Sequence, residues 1–312
     1  MDRNELDQNA MGGTELLGLG LEKQLSILAP QLLDKFQITR SRVRELDRSK
    51  KQILWLHDLP WDPESEHLRD RASLNRFDKL VFVSHWQQQM YNLVLGVPYS
   101  RGIVIPNAID PIPFVQKGDP NEELRIIYHS TPHRGLEILV PVFDILCKHH
   151  DNLVLDVYSS FKLYGWEARD AAYERVFDRC RAHPNINYHG TVSNDEIRAA
   201  LQKAHIFAYP SIWQETSCLC MIEAMSAGVL PVFSSLAALP ETTGGIGALY
   251  DYSEDVSEHA NRFINVLDSV IRDYRTGKFD QTVHFAKTYI DAGHSWSYVI
   301  PRWLHLLRSL DV

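Results

Sequence analysis

Two carboxylates eight positions apart, Glu215 and Glu223, flank a helix start in the stretch Tyr209-Pro-Ser-Ile-Trp-Gln-Glu-Thr-Ser-Cys-Leu-Cys-Met-Ile-Glu-Ala-Met-Ser-Ala-Gly228. Carboxylates accept hydrogen bonds from hydroxyls, such as those of a sugar or a ribose. Between the two, the backbone N–H groups of Thr216, Ser217, Cys218 and Leu219 and the positive end of the helix dipole suit an anion. The set fits one extended ligand, anionic in the middle and rich in hydroxyls at both ends. A cation joins it: Arg134, in Ser130-Thr-Pro-His-Arg-Gly-Leu136, can grip a diphosphate in bidentate fashion. Each such charged hydrogen bond contributes about 1.5–3 kcal/mol. The helix dipole repels a cation at a helix start, so an arginine there argues for a bound anion.

The elements that must position these groups follow from the apolar pattern. Residues 206–209 read as a short buried strand that ends at Pro210-Ser211. Good helix formers fill 217–227, with Gly228 as the stop, and 229–233 is a second apolar strand. Strand, loop, helix and strand make a parallel unit, and in such sheets ligands sit at the carboxyl ends of strands. The same alternation precedes it: strand 126–128, helix 135–149, strand 153–158, helix 167–182, strand 186–189 and helix 194–204. This predicts a parallel sheet covered by helices on both faces. Ser193 with Glu196 forms a capping box that fixes one helix start.

Upstream, Leu17, Leu21, Leu25 and Leu28 share one helical face behind Gly12-Gly13, while residues 1–9 hold no strand-like apolar run. Between 35 and 51 the chain turns basic, with Lys35, Arg40, Arg42, Arg44, Arg48, Lys50 and Lys51 against Glu45 and Asp47. This reads as a solvated face, with a weak contact to anionic lipid head groups or an acidic acceptor as the alternative. Residues 53–56 form a buried strand ending in His57-Asp58-Leu59-Pro60, a polar pair where a cleft would lie. Asp58 before a turn proline is ordinary turn chemistry. Strands at 80–83 and 103–105 follow, the latter leading into Pro106-Asn-Ala-Ile-Asp110. Residues 111–123, with three prolines and Gly118, read as a linker. Helical patterns fill 254–290 and 296–310.

With 312 residues the chain has room for two domains, and 45% hydrophobic against 23% charged residues is a globular profile. No apolar run approaches a membrane span, and the polar start Met1-Asp-Arg-Asn-Glu is not a signal peptide. A net charge of -8 argues against non-specific nucleic-acid binding. Cys147, Cys180, Cys218 and Cys220 are scattered or too close for a zinc set, which points to free thiols in a reducing cytoplasm. His149-His150 reads as a solvated helix end, and Trp166, Tyr173 and Phe177 as core packing. No Asp-x-Asp pair or other metal-ligand spacing lies near the carboxylates, so a metal-free reaction is expected.

On these residues the chain resembles the retaining glycosyltransferases of family 4, which have the GT-B fold and carry two glutamates separated by seven residues around a glycine-rich turn. The resemblance implies an α/β protein of two Rossmann-like domains facing each other across a cleft. Residues 1–110 would form a trimmed N-terminal, acceptor-side domain, with a C-terminal helix at 294–312 packing back on it. Residues 111–293 would bind a nucleotide-diphosphate sugar. Glu215 would hold hydroxyls of the transferred sugar and Glu223 those of the ribose. Arg134 matches the family's basic residue before glycine, although the usual first arginine of that loop is absent and Ser130 or Thr131 stands nearby. Gly12 and Gly13 match a glycine pair over the donor diphosphate, and His57 a histidine close to the sugar. His189-Gly-Thr-Val192 resembles the base-binding loop, where contacts run through the backbone. Residues 106–110 are similar to an Asn-Gly-Val-Asp hinge motif, with Ala108 for glycine, and His294-Ser-Trp296 looks like the start of the returning helix. Thr216, Ser217, Cys218 and Leu219 depart from the usual Gly-Phe-Gly.

The implied activity is transfer of a sugar to an acceptor hydroxyl with retention of configuration, with His57 and Glu215 at the reaction centre. No cofactor is implied beyond the nucleotide sugar itself, and the acceptor is a glycan, a lipid-linked sugar or a protein. Two other readings stay open: a glycosidase using the carboxylate pair, which needs carboxyls about 5–9.5 Å apart and no phosphate site, and a non-catalytic nucleotide-sugar binder.

Overall fold

Parallel strands of apolar residues must be covered on both faces, and the chain does this twice. The computed structural model describes residues 12–311, so the expectation about 1–9 lies outside the described residues. Two units result: the described residues up to Asp110 together with those from Ala292 onward, and Pro111–Asp291.

In the first unit, helices α1 (Gly13–Leu28) and α2 (Pro30–Lys35) precede a sheet of β1 (Phe36–Arg40), β2 (Lys51–Leu56), β3 (Lys79–Phe82) and β4 (Gly102–Val104). These strands are parallel and lie in chain order. Short helix α3 (Arg71–Leu74) and helix α4 (His85–Leu95) connect them. Leu54, Leu56, Phe77, Leu80, Phe82 and Tyr91 form one apolar cluster. Helix α12 (Trp296–Leu310) returns to this unit, where the Trp296 ring lies against Gly20 of α1 and the Ile109 amide bonds the His294 carbonyl.

The basic stretch is not one solvated face. All five residues of β1 are buried, and Arg40 is only 6% exposed. Gln37 clasps the following segment, its side chain donating to the Glu45 carbonyl at 2.9 Å and accepting from the Asp47 amide at 2.7 Å. Lys35 pairs with Asp311 at 2.7 Å, and Arg44 meets Glu64 through two bonds of 2.9 and 3.0 Å. Polar residues in a strand buried on both faces erase the alternation that would mark it in the sequence.

The second unit builds a six-stranded parallel sheet in the order β10-β9-β8-β5-β6-β7. Its elements alternate: β5 (Leu124–His129), α5 (Leu136–Leu146), β6 (Leu153–Tyr158), α6 (Glu174–Ala182), β7 (Ile186–Tyr188), α7 (Asn194–Leu201), β8 (Ile206–Tyr209), α8 (Leu219–Ser226), β9 (Leu230–Ser234), α9 (Leu239–Thr243) and β10 (Ala248–Tyr250). Helices α10 (Val256–Tyr274) and α11 (Asp280–His294) follow. The chain runs outward from β5 through β6 to β7, then crosses back to lay β8 on the other side of β5. That reversal is a topological switch point, where the strand ends part and leave a crevice.

Ser193 and Glu196 make the expected capping box, and Gly228, with φ of 70°, stops α8. Residues 167–173 form a 3-10 segment without buried residues, and Trp166 lies half-buried under the Arg169 guanidinium rather than in the core. His150 is not a solvated end either: its Nε2 lies 2.6 Å from Asp268 on α10. At the far end of α8, Lys287 donates to the carbonyls of Ile112 and Ser226 and to Asp291, at 2.6–2.7 Å. The Ser226 hydroxyl accepts from the Ile112 amide and donates to Asp291. Among the described residues, no helix is long and apolar enough to cross a membrane.

Gly135 starts α5 at φ of 116°, and a Cβ there would sit 2.1 Å from the Pro210 carbonyl oxygen at the end of β8. Both the backbone angle and the close approach require glycine. Gly135→Ala is expected to destabilise the protein by roughly 2–4 kcal/mol, combining left-handed strain with overpacking. Denaturant unfolding of this variant beside a Gly118→Ala control checks it, since a Cβ at Gly118 would meet nothing within 4 Å.

Candidate active site

Arg134 leaves the loop after β5, and Glu215 the loop after β8, on either side of the switch point. Arg134 Nη1 donates to both Glu215 carboxylate oxygens, at 2.8 and 3.1 Å. The Tyr209 hydroxyl donates to the same carboxylate at 2.5 Å. Glu215 is 5% exposed, and burial raises its pKa above the ordinary carboxylate value against the pull of Arg134 and Tyr209. For Arg134 burial works the other way, and Glu215 together with Tyr209, Tyr164 and Cys220 outweighs it, so the guanidinium stays charged.

Glu223 lies two turns of sequence beyond, buried in α8, and accepts from Asn194 Nδ2 at 2.9 Å with Arg198 4.0 Å away. Burial raises its pKa, opposed by the nearby His129, by Asn194 and by Arg198. The start of α8 separates the two carboxylates. Cys218 precedes the helix without a side-chain cap, and the first turn carries no acidic residue. The first backbone N–H groups of a helix have no partner within the helix, which makes this start a seat for an anion.

Several buried polar atoms around these strand ends have no hydrogen-bond partner: Thr131 Oγ1, His129 Nε2, His133 Nδ1, Arg134 Nε and Gln214 Oε1. Leaving such atoms unpaired costs about 1–3 kcal/mol each, so a cluster of them points to a polar ligand that satisfies them. His133 stacks on Phe161 with ring centroids 5.2 Å apart and meets Trp213 edge-on at 4.9 Å. Burial, with the charges of Arg134 and Arg169, lowers the His133 pKa to about 4, so this ring is neutral.

The second unit thus gathers Arg134, Glu215, Glu223 and residues 216–219. Val192 is half-buried on the loop between β7 and α7, two residues before Asn194. His57, Gly12 and Gly13 belong to the first unit. The His57 ring packs against Trp55 at 4.6 Å, and burial together with the Arg40 charge lowers its pKa to about 3. Gly12 precedes α1, and Arg40 Nη1 donates to the Thr14 carbonyl in its first turn at 3.4 Å. Sequence reasoning missed Arg40, Tyr209, Asn194 and His129. Tyr209 and His129 had a signal, each being a polar-tipped ring at the last position of a buried strand; Asn194 was hidden as the first residue of a capped helix. Among the described residues, no group of three or more His, Cys, Asp or Glu side chains is placed to hold a metal.

Because the folded-state pKa of Glu223 lies above its unfolded value, the folded protein keeps that proton to higher pH. Stability from this group is therefore greatest below the ordinary carboxylate range and falls as pH rises through the folded value. Glu223→Gln retains an acceptor for Asn194 and removes the buried charge. It is expected to raise the melting temperature at pH 8 by about 2–4 °C, the shift given by ~1 kcal/mol in a domain of this size. The gain should vanish by pH 4, and thermal scans across pH check both halves.

Residues 125–269 match the Glycosyl transferases group 1 family. A human phosphatidylinositol N-acetylglucosaminyltransferase subunit is 27% identical over 177 residues, 54% of this chain and 34% of that protein. The Schizosaccharomyces pombe gpi3 subunit is 21% identical over 232 residues, 71% and 48% of the two chains. The chain thus spans a third to a half of the length of these curated relatives. Among solved structures, a glycosyltransferase from Rickettsia africae superposes with a TM-score of 0.71 at 14% identity, covering 93% of this chain and 80% of that one. Anabaena HepE in complex with UDP gives 0.67 at 16% identity, covering 92% and 84%. The matched segment carries the carboxylate pair and the arginine, so residues 125–269 form a domain of the group 1 glycosyl transferase type, in a chain that shares the GT-B fold of these solved structures over nearly its whole length.

Proposed function

We propose that the protein moves a sugar from a nucleotide-diphosphate sugar to an acceptor hydroxyl, with retention of configuration and without a metal. The observation that carries this reading is the cluster at the switch point, where a buried guanidinium, an uncapped helix start and two buried carboxylates converge. Arg134 commits Nη1 to Glu215 and keeps a buried, unpaired Nε for the diphosphate. The leaving group gains negative charge as the anomeric C–O bond breaks. Arg134 and the amides at the start of α8 stabilise that charge from fixed positions. The acceptor oxygen bonds to the anomeric carbon from the face the diphosphate leaves, and its proton passes to the departing phosphate oxygen.

Glu215, held by Arg134 and Tyr209, orients hydroxyls of the sugar and is not a nucleophile. Glu223 receives the ribose hydroxyls, and the loop through Val192 the base. In the first unit, the family resemblance alone assigns His57, neutral and buried, to the reaction centre and Gly12 and Gly13 to the donor. The first unit carries the acceptor. The resemblance to phosphatidylinositol N-acetylglucosaminyltransferase subunits favours a lipid-linked acceptor and N-acetylglucosamine, and the solved neighbours bound to UDP and UDP-glucose favour uridine. A cytoplasmic, membrane-peripheral setting fits such an acceptor, with the exposed Arg48 and Lys51 as head-group contacts.

Thermal-shift titration with uridine, guanosine and adenosine diphosphates should single out one nucleotide, followed by a transfer assay with its sugars. Glu223→Ala is expected to weaken nucleotide binding by about tenfold, the loss of one or two hydrogen bonds to a charged group. Glu215→Ala should leave nucleotide binding within about threefold and slow transfer by roughly a hundredfold or more, as for other groups acting mainly in the transition state. Full transfer activity in both variants would refute the assignment.

A further inference from the structure

Two thiols occupy the start of α8, and the proposed mechanism uses neither sulfur. Cys218, the residue before the helix, is 1% exposed, and Cys220 in the first turn is half-buried. In a regular helix residues two apart point away from each other. Here Cys218 is extended, with φ of -82° and ψ of 102°, and the two sulfurs lie within hydrogen-bonding reach. The His129 imidazole borders the same Cys220 sulfur, and the Arg134 charge acts on it.

These surroundings divide the pair. Burial pushes the Cys218 thiol well up, with Cys220 and Glu215 adding to the effect. The Cys220 thiol is drawn well down by the Cys218 thiol, and, against burial, by His129 and Arg134. The two remaining cysteines, Cys147 and Cys180, are raised to about 11 by burial. One half-buried sulfur beside one shielded sulfur is the arrangement of an attacking and a resolving cysteine.

We propose that Cys218 and Cys220 form a thiol–disulfide site, in which a low-molecular-weight disulfide closes a bond between them and dismantles the anion seat at the start of α8. The effect on ligand rests on the nucleotide-sugar reading; the bond does not. The Cys220 thiolate attacks the small disulfide, forming a mixed disulfide and expelling one thiolate. The Cys218 sulfur then attacks the Cys220 sulfur, its proton and the electron pair leaving with the second small thiol. The protein loses two hydrogens, and one disulfide is reduced to two thiols. A covalent S–S bond of about 2.05 Å in place of a contact between sulfurs draws Cys218 toward the first turn and re-aims the amides around it.

To test this, the full chain is incubated with glutathione disulfide, alkylated and digested, and binding of uridine diphosphate is measured before and after. The expected result is a peptide with Cys218 and Cys220 both unalkylated and two hydrogens lighter, with Cys147 and Cys180 alkylated. Amide exchange over 216–222 should rise, nucleotide binding should fall about tenfold, the loss of roughly one charge-assisted bond, and dithiothreitol should restore both. Cys218→Ser should stop with one glutathione on Cys220, and Cys220→Ser should bind nucleotide equally with and without oxidant. Four alkylatable thiols after treatment, glutathione on Cys147 in preference to Cys220, or unchanged amide exchange once the bond has formed would each overturn the proposal. A reduced protein that binds none of the three nucleoside diphosphates would instead count against the transferase reading, with thiol mapping and exchange still deciding this one.

Discussion

A buried ion pair between Arg134 and Glu215 closes the gap where the strand order reverses. Two charges removed from water repay their desolvation only in good geometry and with further hydrogen bonds, and removing one partner leaves the other stranded. Both conditions shape the surroundings. Arg134 spans both carboxylate oxygens, Tyr209 adds a third bond, and the Ala238 amide holds the Glu215 carbonyl at 3.1 Å. Gly135 follows Arg134 in the left-handed region and lets that loop press against Pro210. The loops after β5 and β8 are thereby locked together, and Arg134 and Tyr209 oppose the tendency of burial to neutralise the carboxylate.

Much of this was legible because the second unit follows local rules. Its strands are mostly apolar, its helices start at Ser193 or stop at Gly228 as propensity demands, and the carboxylates fall at recognisable places in one strand–loop–helix segment. The pairing of Arg134 with Glu215 was not legible, because it spans 81 positions and depends on β8 crossing to the side of β5 away from β6. Asn194 escaped for the same reason: its partner Glu223 lies on another helix. In the first unit β1 escaped because Gln37, Thr39 and Arg40 broke its apolar run, and six further cations nearby looked like a surface.

Arg40 changes how the first unit is understood. Its buried guanidinium donates to the first turn of α1 and acts on His57, just after β2. It helps to keep His57 neutral, so this imidazole offers one donor and one acceptor rather than a positive charge. The two units therefore treat charge differently: the second concentrates it at the switch point, and the first keeps its candidate histidine without it.

Helix α8 is eight residues long, about 12 Å at 1.5 Å per residue, and its two ends have separate attachments. One end carries the amides proposed to meet an anion; the other is bolted through Ser226, Lys287 and Asp291 to Ile112, at the beginning of the linker. So short a helix, with no proline or bulge to flex it, moves as a rigid rod. The same two turns therefore join the proposed anion site to the peptide by which the chain enters this unit.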